Sequence, residues 1–249
     1  MTSRLVVVHP DVDVLAEAAA ARLLTRILDV QSVRRPVHVV LTGGTVGIRA
    51  LAAAAASPLV AAVDWSGVHL WWGDERFLPT GDADRNETQA RAAMIDALVT
   101  SAGLPEANVH PVAGPDTAGS PEESAAAYAA ELAAQADDGA PVPAFDVLLL
   151  GMGPDGHVAS LFPGHEALGA TGATVGVHGS PKPPAERVSL TFDAINAARE
   201  VWVVAAGAEK AEQAAAALAG QPVAEVPASG VAGTDRTLWL LDTAASDAP

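Results

Sequence analysis

Runs of β-branched and aliphatic residues alternate along the chain with stretches in which alanine and leucine recur at helical spacing. Arg4 to His9 reads as a strand, and Asp11 or Asp13 then caps a helix whose apolar positions Val14, Ala18, Ala21, Leu24 and Leu28 keep the helical period. Pro36 to Leu41 forms a second strand, ending at Thr42-Gly43-Gly44-Thr45 before an Ala-rich helix. Val68 to Trp72 forms a third, closed by Gly73-Asp74-Glu75-Arg76 and followed by a helix from about Asp84 to Thr100. Ser120 and Pro121 open a helix that runs to Ala136, with Glu122 and Glu123 in the first turn, where the helix dipole favours acids. Phe145 to Leu150 is almost continuously apolar, as suits a parallel strand covered on both faces. Arg187 to Phe192, Glu200 to Ala206 and Thr237 to Leu241 complete the strands, and Glu209 to Ala219 is a late helix. This order predicts an α/β fold: a doubly wound, mostly parallel, Rossmann-like sheet with helices on both faces. In such sheets ligands sit outside the carboxyl ends of the strands, where three polar loops fall here.

Composition narrows the partners. Among 249 residues there are 14 Lys+Arg against 30 Asp+Glu, a formal charge of −16, and no Cys. That charge offers no diffuse basic face to nucleic acid or to an anionic membrane, so any anionic ligand needs a local site. The absence of Cys excludes a thiolate nucleophile and Cys-ligated metal, and agrees with a reducing, cytoplasmic setting. Met1 to Val14 has no signal-peptide pattern, and the apolar runs Leu51 to Ala56 and Val147 to Leu150 fall far short of the ~20 residues of a membrane span. No linker forces a division, so one domain over residues 1–249 is expected, as a monomer or small homo-oligomer.

Three loops and one lysine carry candidate chemistry. In Thr42-Gly43-Gly44-Thr45-Val46-Gly47 the paired glycines let backbone N–H groups approach an anion at a helix start, or serve only a tight turn. Gly73-Asp74-Glu75-Arg76 places a guanidinium beside Trp71, Trp72 and Phe77, free for an anion or paired with its acidic neighbours. Gly151-Met152-Gly153-Pro154-Asp155-Gly156 matches a dinucleotide fingerprint, but Pro163 and Gly164 leave little room for the required helix. That loop offers instead His157 with Asp155 two residues away; imidazole, titrating near ~6.5, is suited to act as a general base, although a structural histidine is the plain alternative. Lys182, one of two lysines in the chain, is held by Pro183 and Pro184 with Arg187 close behind. The remaining histidines, His9, His38, His69, His110, His165 and His178, show no metal-ligand spacing, and no metal is expected.

Together these stretches resemble the 6-phosphogluconolactonase family. The resemblance rests on the Gly-Gly turn, on Trp72 to Pro79, on Asp82-Ala83-Asp84-Arg85-Asn86, and above all on Leu150 to Gly164. Lys182 to Thr191, Gly207 with Lys210, and Pro227-Ala228-Ser229 extend it nearly to the C-terminus. It implies a sugar-phosphate isomerase-like fold and hydrolysis of 6-phospho-D-glucono-1,5-lactone in the oxidative pentose phosphate pathway, without cofactor or metal. It assigns catalysis to His157 and Asp155, and substrate or phosphate binding to Thr42, Gly43, Gly44, Thr45, Asp74, Arg76, Lys182 and Arg187. The fold is shared by glucosamine-6-phosphate deaminases or isomerases and by non-catalytic sugar-phosphate-sensing domains, which remain the alternatives. Where the deaminases continue Asn-Glu-Pro-Gly, this chain reads Leu161-Phe162-Pro163-Gly164, and Phe162 cannot transfer a proton. The family's loop usually reads Ser-Gly-Gly-Ser-Thr-Pro, whereas here Val46 lacks the hydroxyl and Gly47 the rigid ring.

Overall fold

A computed structural model describes residues 3–137 and 139–247; Met1, Thr2, Asp138, Ala248 and Pro249, part of the expected 1–249 span, lie outside the described residues. The strands are β1 (Ser3–His9), β2 (Val37–Leu41), β3 (Val68–Trp72), β4 (Asp74–Arg76), β5 (Val147–Gly151), β6 (Thr174–Val177), β7 (Arg187–Leu190), β8 (Glu200–Ala205) and β9 (Arg236–Asp242). Six of them pair in parallel in the order β1-β9-β8-β5-β2-β3. All of β2 and β8 is buried, as continuous apolar runs require when both faces are covered, and β1 takes an edge with Leu5, Val6 and Val8 partly in solvent. The helices that pack on this sheet and beside it are α1 (Val12–Gln31), α2 (Gly44–Ala56), α3 (Asn86–Ala90), α4 (Pro121–Ala134), α5 (Phe192–Asn196) and α6 (Ala211–Leu218). Among the described residues no helix is long and apolar enough to cross a membrane.

Three details depart from the sequence pattern. Asp11 caps α1 as expected, its carboxylate accepting from the N–H groups of Asp13 (3.0 Å) and Val14 (2.9 Å). The buried stripe, however, is Leu15, Ala19, Leu23 and Ile27 with Ala16, Ala20, Leu24 and Val30, while Val14 is 43% exposed and Ala21 lies outside. A helix with Ala and Leu on several sides carries more than one stripe at the same spacing, and packing against α2 and the sheet chooses among them. The helix expected from Asp84 starts at Asn86 and continues through wide π turns, Arg91–Ile95 and Leu98–Ala102, to Gly103 at φ +83°. Finally, Arg187 to Phe192 does not join the parallel sheet. Its strand β7 lies between β4 and β6 in a separate antiparallel sheet, whose other strands, of three and four residues, are too short to stand out as periodic segments. Gly73 joins the sheets: its N–H donates to Leu41 O (3.0 Å) and its carbonyl accepts from Leu190 N (2.8 Å).

His38 on β2 and His69 on β3 cluster with His110 and Trp71. Trp71 Nε1 donates to His38 Nδ1 (3.1 Å), His69 Nδ1 meets His110 Nε2 at 2.9 Å, and His110 Nδ1 meets Glu131 Oε1 at 2.6 Å, with His110 stacked on Trp71. Burial, helped by the neighbouring His69, His110 and Arg34, lowers His38 to about 3; burial lowers His69 and His110 as well, against the pull of Glu131 on His110. The unfolded chain therefore binds protons near pH 6.5 that the folded chain refuses until lower pH. Stability is full above that value and falls as the pH drops toward 3, by ~1.4 kcal/mol per pH unit for each histidine still neutral. Urea unfolding between pH 7 and 4 should show this slope, and His38→Gln should flatten it; equal slopes in both proteins would refute the assignment.

Candidate active site

β2 ends at Leu41 and α2 begins at Gly44, so two residues must turn the chain and start the helix. Gly44, the first residue of the helix, completes the turn at φ +81°, a conformation that favours glycine. A Cβ on Gly43 would collide with the Asn86 carboxamide. α2 has no side-chain cap and no acid in its first turn, so its leading N–H groups and positive dipole end are left for a ligand. Thr42 ties this turn to the loop after β5, its Oγ1 accepting from Gly151 N at 3.0 Å. The methyl of Thr42 lies 2.8 Å from where a Cβ on residue 47 would stand, so the departures at positions 42 and 47 fit one another.

The loop after β5 builds the second element. Gly153 N donates to His157 O (2.9 Å) and Gly156, at φ +80°, closes the turn with a bond to Gly153 O (3.0 Å). This brings His157 Nδ1 to 2.5 Å from Asp155 Oδ1, and the imidazole packs on Phe162 at 4.6 Å between centroids. Burial alone would raise the Asp155 carboxyl, but the His157 hydrogen bond and the charges of His157 and Lys182 hold it well below the usual carboxylate range. With Nδ1 committed to the carboxylate, Nε2 is the nitrogen available to a reactant. Beyond the dyad Ala159 is held at φ +50°, the one described non-glycine residue with positive φ, and Ser160 Oγ donates to Asp74 Oδ2 at 2.7 Å.

The third element comes from β4, where strand alternation turns Asp74 and Arg76 one way and Glu75 the other. Arg76 Nη1 donates to Asp84 O at 2.5 Å, while its Nε is buried with no partner among the described residues. Asn86 Nδ2 donates to Asp74 O at 2.9 Å, which orients the amide and leaves Oδ1 beside Gly43.

These elements enclose a cleft of about 280 Å³ at the carboxyl ends of β2, β3 and β5. Thr42, Gly43, Gly44, Thr45, Asp74, Arg76, His157, Lys182 and Arg187 all line it, and Asp155 stands behind His157. An adjoining hollow of about 180 Å³ shares Gly43, Gly44 and Thr45 and reaches the end of β8. A larger hollow of about 330 Å³ lies by the opposite ends of β8 and β9; there Arg26 and Arg236 face the buried Glu200 at 3.0 and 3.8 Å.

Within this cleft Lys182 and Arg187 engage neighbours on the side of the dyad. Lys182 Nζ is 3.3 Å from both Asp155 Oδ1 and His157 Nδ1, so its charge belongs to the dyad. Arg187 spends its guanidinium on the Lys182 loop, with Nε donating to Pro184 O (3.2 Å) and Nη2 to Lys182 O and Pro183 O (3.0 Å each). It lies over the Phe162 ring with Nη1 3.9 Å from Asp74 Oδ2. Lys210 lines both this cleft and the adjoining hollow that shares the Gly43–Gly44 turn, with its side chain 17% exposed. Burial lowers its ammonium, opposed by Glu209, with Lys182 lowering it further. As one of only two lysines in an acidic chain it carried a signal, yet nothing local in the sequence tied it to Gly43.

Known proteins resemble this chain in sequence and in fold. The family model described as glucosamine-6-phosphate isomerases/6-phosphogluconolactonase matches residues 10–239. A 6-phosphogluconolactonase of Streptomyces coelicolor is 55% identical over 245 residues, covering 96% of this chain and 92% of that protein. One from Mycobacterium tuberculosis is 44% identical, covering 94% of each. The structure of 6-phosphogluconolactonase from Trypanosoma brucei superimposes with a TM-score of 0.81 at 27% identity, over 99% of this chain and 98% of that one. On the extent of that match and the identity of its relatives, the chain belongs to the glucosamine-6-phosphate isomerase/6-phosphogluconolactonase family.

Proposed function

We propose that the cleft hydrolyses 6-phospho-D-glucono-1,5-lactone to 6-phospho-D-gluconate, the lactonase step of the oxidative pentose phosphate pathway. One observation carries this reading: a single cleft joins an uncapped helix start with a half-buried lysine at one end to a histidine–carboxylate dyad at the other. The phosphate is held by the N–H groups at Gly43 to Thr45, by Lys210 and by Arg76, whose unpartnered Nε gains an acceptor. Asp74 offers an acceptor to a sugar hydroxyl. His157 Nε2 takes a proton from water as the water oxygen bonds to the lactone carbonyl carbon. When the tetrahedral intermediate collapses, the carbon–ring oxygen bond breaks and Nε2 returns the proton to the departing oxygen. Asp155 holds the ring, and Lys182 sets a positive charge beside the dyad where the carbonyl oxygen becomes anionic. The whole chain acts as one domain in the cytoplasm, on a small-molecule substrate, without metal or organic cofactor.

Phe162 favours this over amino-sugar deamination, since it fills the slot beside His157 with a ring that carries no proton. The assay is release of acid from freshly made lactone, corrected for spontaneous opening, with ammonia release from glucosamine 6-phosphate as the comparison. Ammonia without lactonase turnover would reverse the reading, and binding without either would make the chain a sensor.

The placement of the lysines gives a sharper expectation. Lys210→Ala and Arg76→Ala should raise KM for the phosphorylated lactone about 10- to 100-fold, as losing a charge-assisted hydrogen bond does, with little effect on unphosphorylated glucono-1,5-lactone. Lys182→Ala should instead lower kcat on both lactones. A Lys182→Ala enzyme that loses only affinity for the phosphorylated substrate would return that lysine to the phosphate.

A further inference from the structure

Glu75 takes no part in the proposed reaction, yet it is the most heavily bonded carboxylate near the cleft. It is 1% exposed. Oε1 accepts from Arg76 N (2.8 Å) and Asn86 N (2.6 Å), and Oε2 accepts from Glu87 N (2.8 Å). Arg85 Nη2 stands 3.7 Å from Oε2 and is itself pinned by Glu87 Oε2 (3.0 Å) and Val112 O (2.6 Å). One carboxylate therefore joins the strand that carries Asp74 and Arg76 to the start of α3, where Asn86 reaches back to Asp74 O and lies against Gly43.

Burial pushes the Glu75 carboxyl up to about 7, against the pull of Arg85 and the three N–H groups, so the arrangement is costly to keep. An apolar residue of similar size often serves stability equally well at such a position. What an apolar residue cannot do is hold three backbone donors from two segments at fixed spacing.

We infer that Glu75 is a positioning residue for phosphate recognition: by clamping β4 to the start of α3 it sets the distance between the Arg76 guanidinium and the Gly43 turn. The inference rests on the reading that this end of the cleft takes the phosphate. Glu75→Gln keeps the shape but turns one acceptor into a donor facing N–H groups and Arg85. Glu75→Asp keeps the charge but is one methylene short of the α3 donors.

The test is steady-state kinetics of both variants on phosphorylated and unphosphorylated lactone, together with the rise in Tm that inorganic phosphate gives. KM for the phosphorylated lactone is expected to rise about tenfold, the loss of one hydrogen bond to a charged group, with kcat within about threefold. The unphosphorylated lactone should be unaffected, and the rise in Tm with phosphate should shrink. In an Arg76→Ala background Glu75→Gln should add nothing further, because the two act on one contact. A lowered Tm with unchanged KM and unchanged phosphate response would overturn the inference, as would additive losses in the double variant. If only one variant folds, that one decides by the same readouts. If the wild type turns over neither lactone, the proposed reaction fails, while the response to phosphate still decides the role of Glu75.

Discussion

Replacing His157 with glutamine is expected to lower kcat on 6-phospho-D-glucono-1,5-lactone about 10²- to 10⁴-fold, the range a positioned general base supplies, with KM nearly unchanged. Glutamine fills much of the same space against Phe162 and can still reach Asp155, so the cleft and its phosphate end stay intact. What is lost is a nitrogen that can accept the proton of water and return it. Because the lactone opens spontaneously, turnover must be measured on fresh substrate at several enzyme concentrations and the uncatalysed rate subtracted. A variant within threefold of wild type would remove His157 from the chemistry.

Gly153→Ala should be nearly as damaging although no reacting group is changed. The backbone at Gly153 has no positive φ, so alanine fits the chain. Its Cβ, however, would collide with His157 Nδ1 and Cε1 and with Asp155 Oδ1, inside the space the dyad occupies. The hydrogen bond from Nδ1 to the carboxylate must open, and the imidazole loses both its orientation and its tautomer. A fall in kcat of roughly 10²-fold or more is expected, with a stability loss of about 1–3 kcal/mol from overpacking. Gly169→Ala, where a Cβ meets nothing within 4 Å, is the control and should be silent in both assays. Full activity in Gly153→Ala would mean that the dyad geometry is dispensable.

Much of the site was legible because its parts are local. Asp155 and His157 are two residues apart on one turn, and Gly43 and Gly44 occupy a single strand-to-helix junction, so the motif and the geometry nearly coincide. The basic residues were not legible in the same way. Arg187 lies five residues from Lys182 and looks like a second free cation, yet the loop between them folds back to present three carbonyls that take its guanidinium. Lys182 and Lys210 could each have been assigned to the phosphate by charge alone. Only the crossing of the loop after β6 over the dyad, and the adjacency of β8 and β5, separates their positions in the cleft.

The same division holds for the fold. Strand and helix identities follow from short-range periodicity and from caps such as Asp11 and Ser120, which act within three residues of themselves. The sequence by itself therefore determined the alternating α/β order, the carboxyl-end location of the ligand loops and the histidine–carboxylate pair. The tertiary structure alone decided which stripe of α1 is buried, that β7 leaves the parallel sheet, and which partners the cleft cations meet. The physical reason is that a charged side chain acquires its role from the acceptors that reach it. For Lys182 those come from the loop after β5, which the chain order leaves apart from it, and for Arg187 from a short loop whose fold-back no local pattern announces.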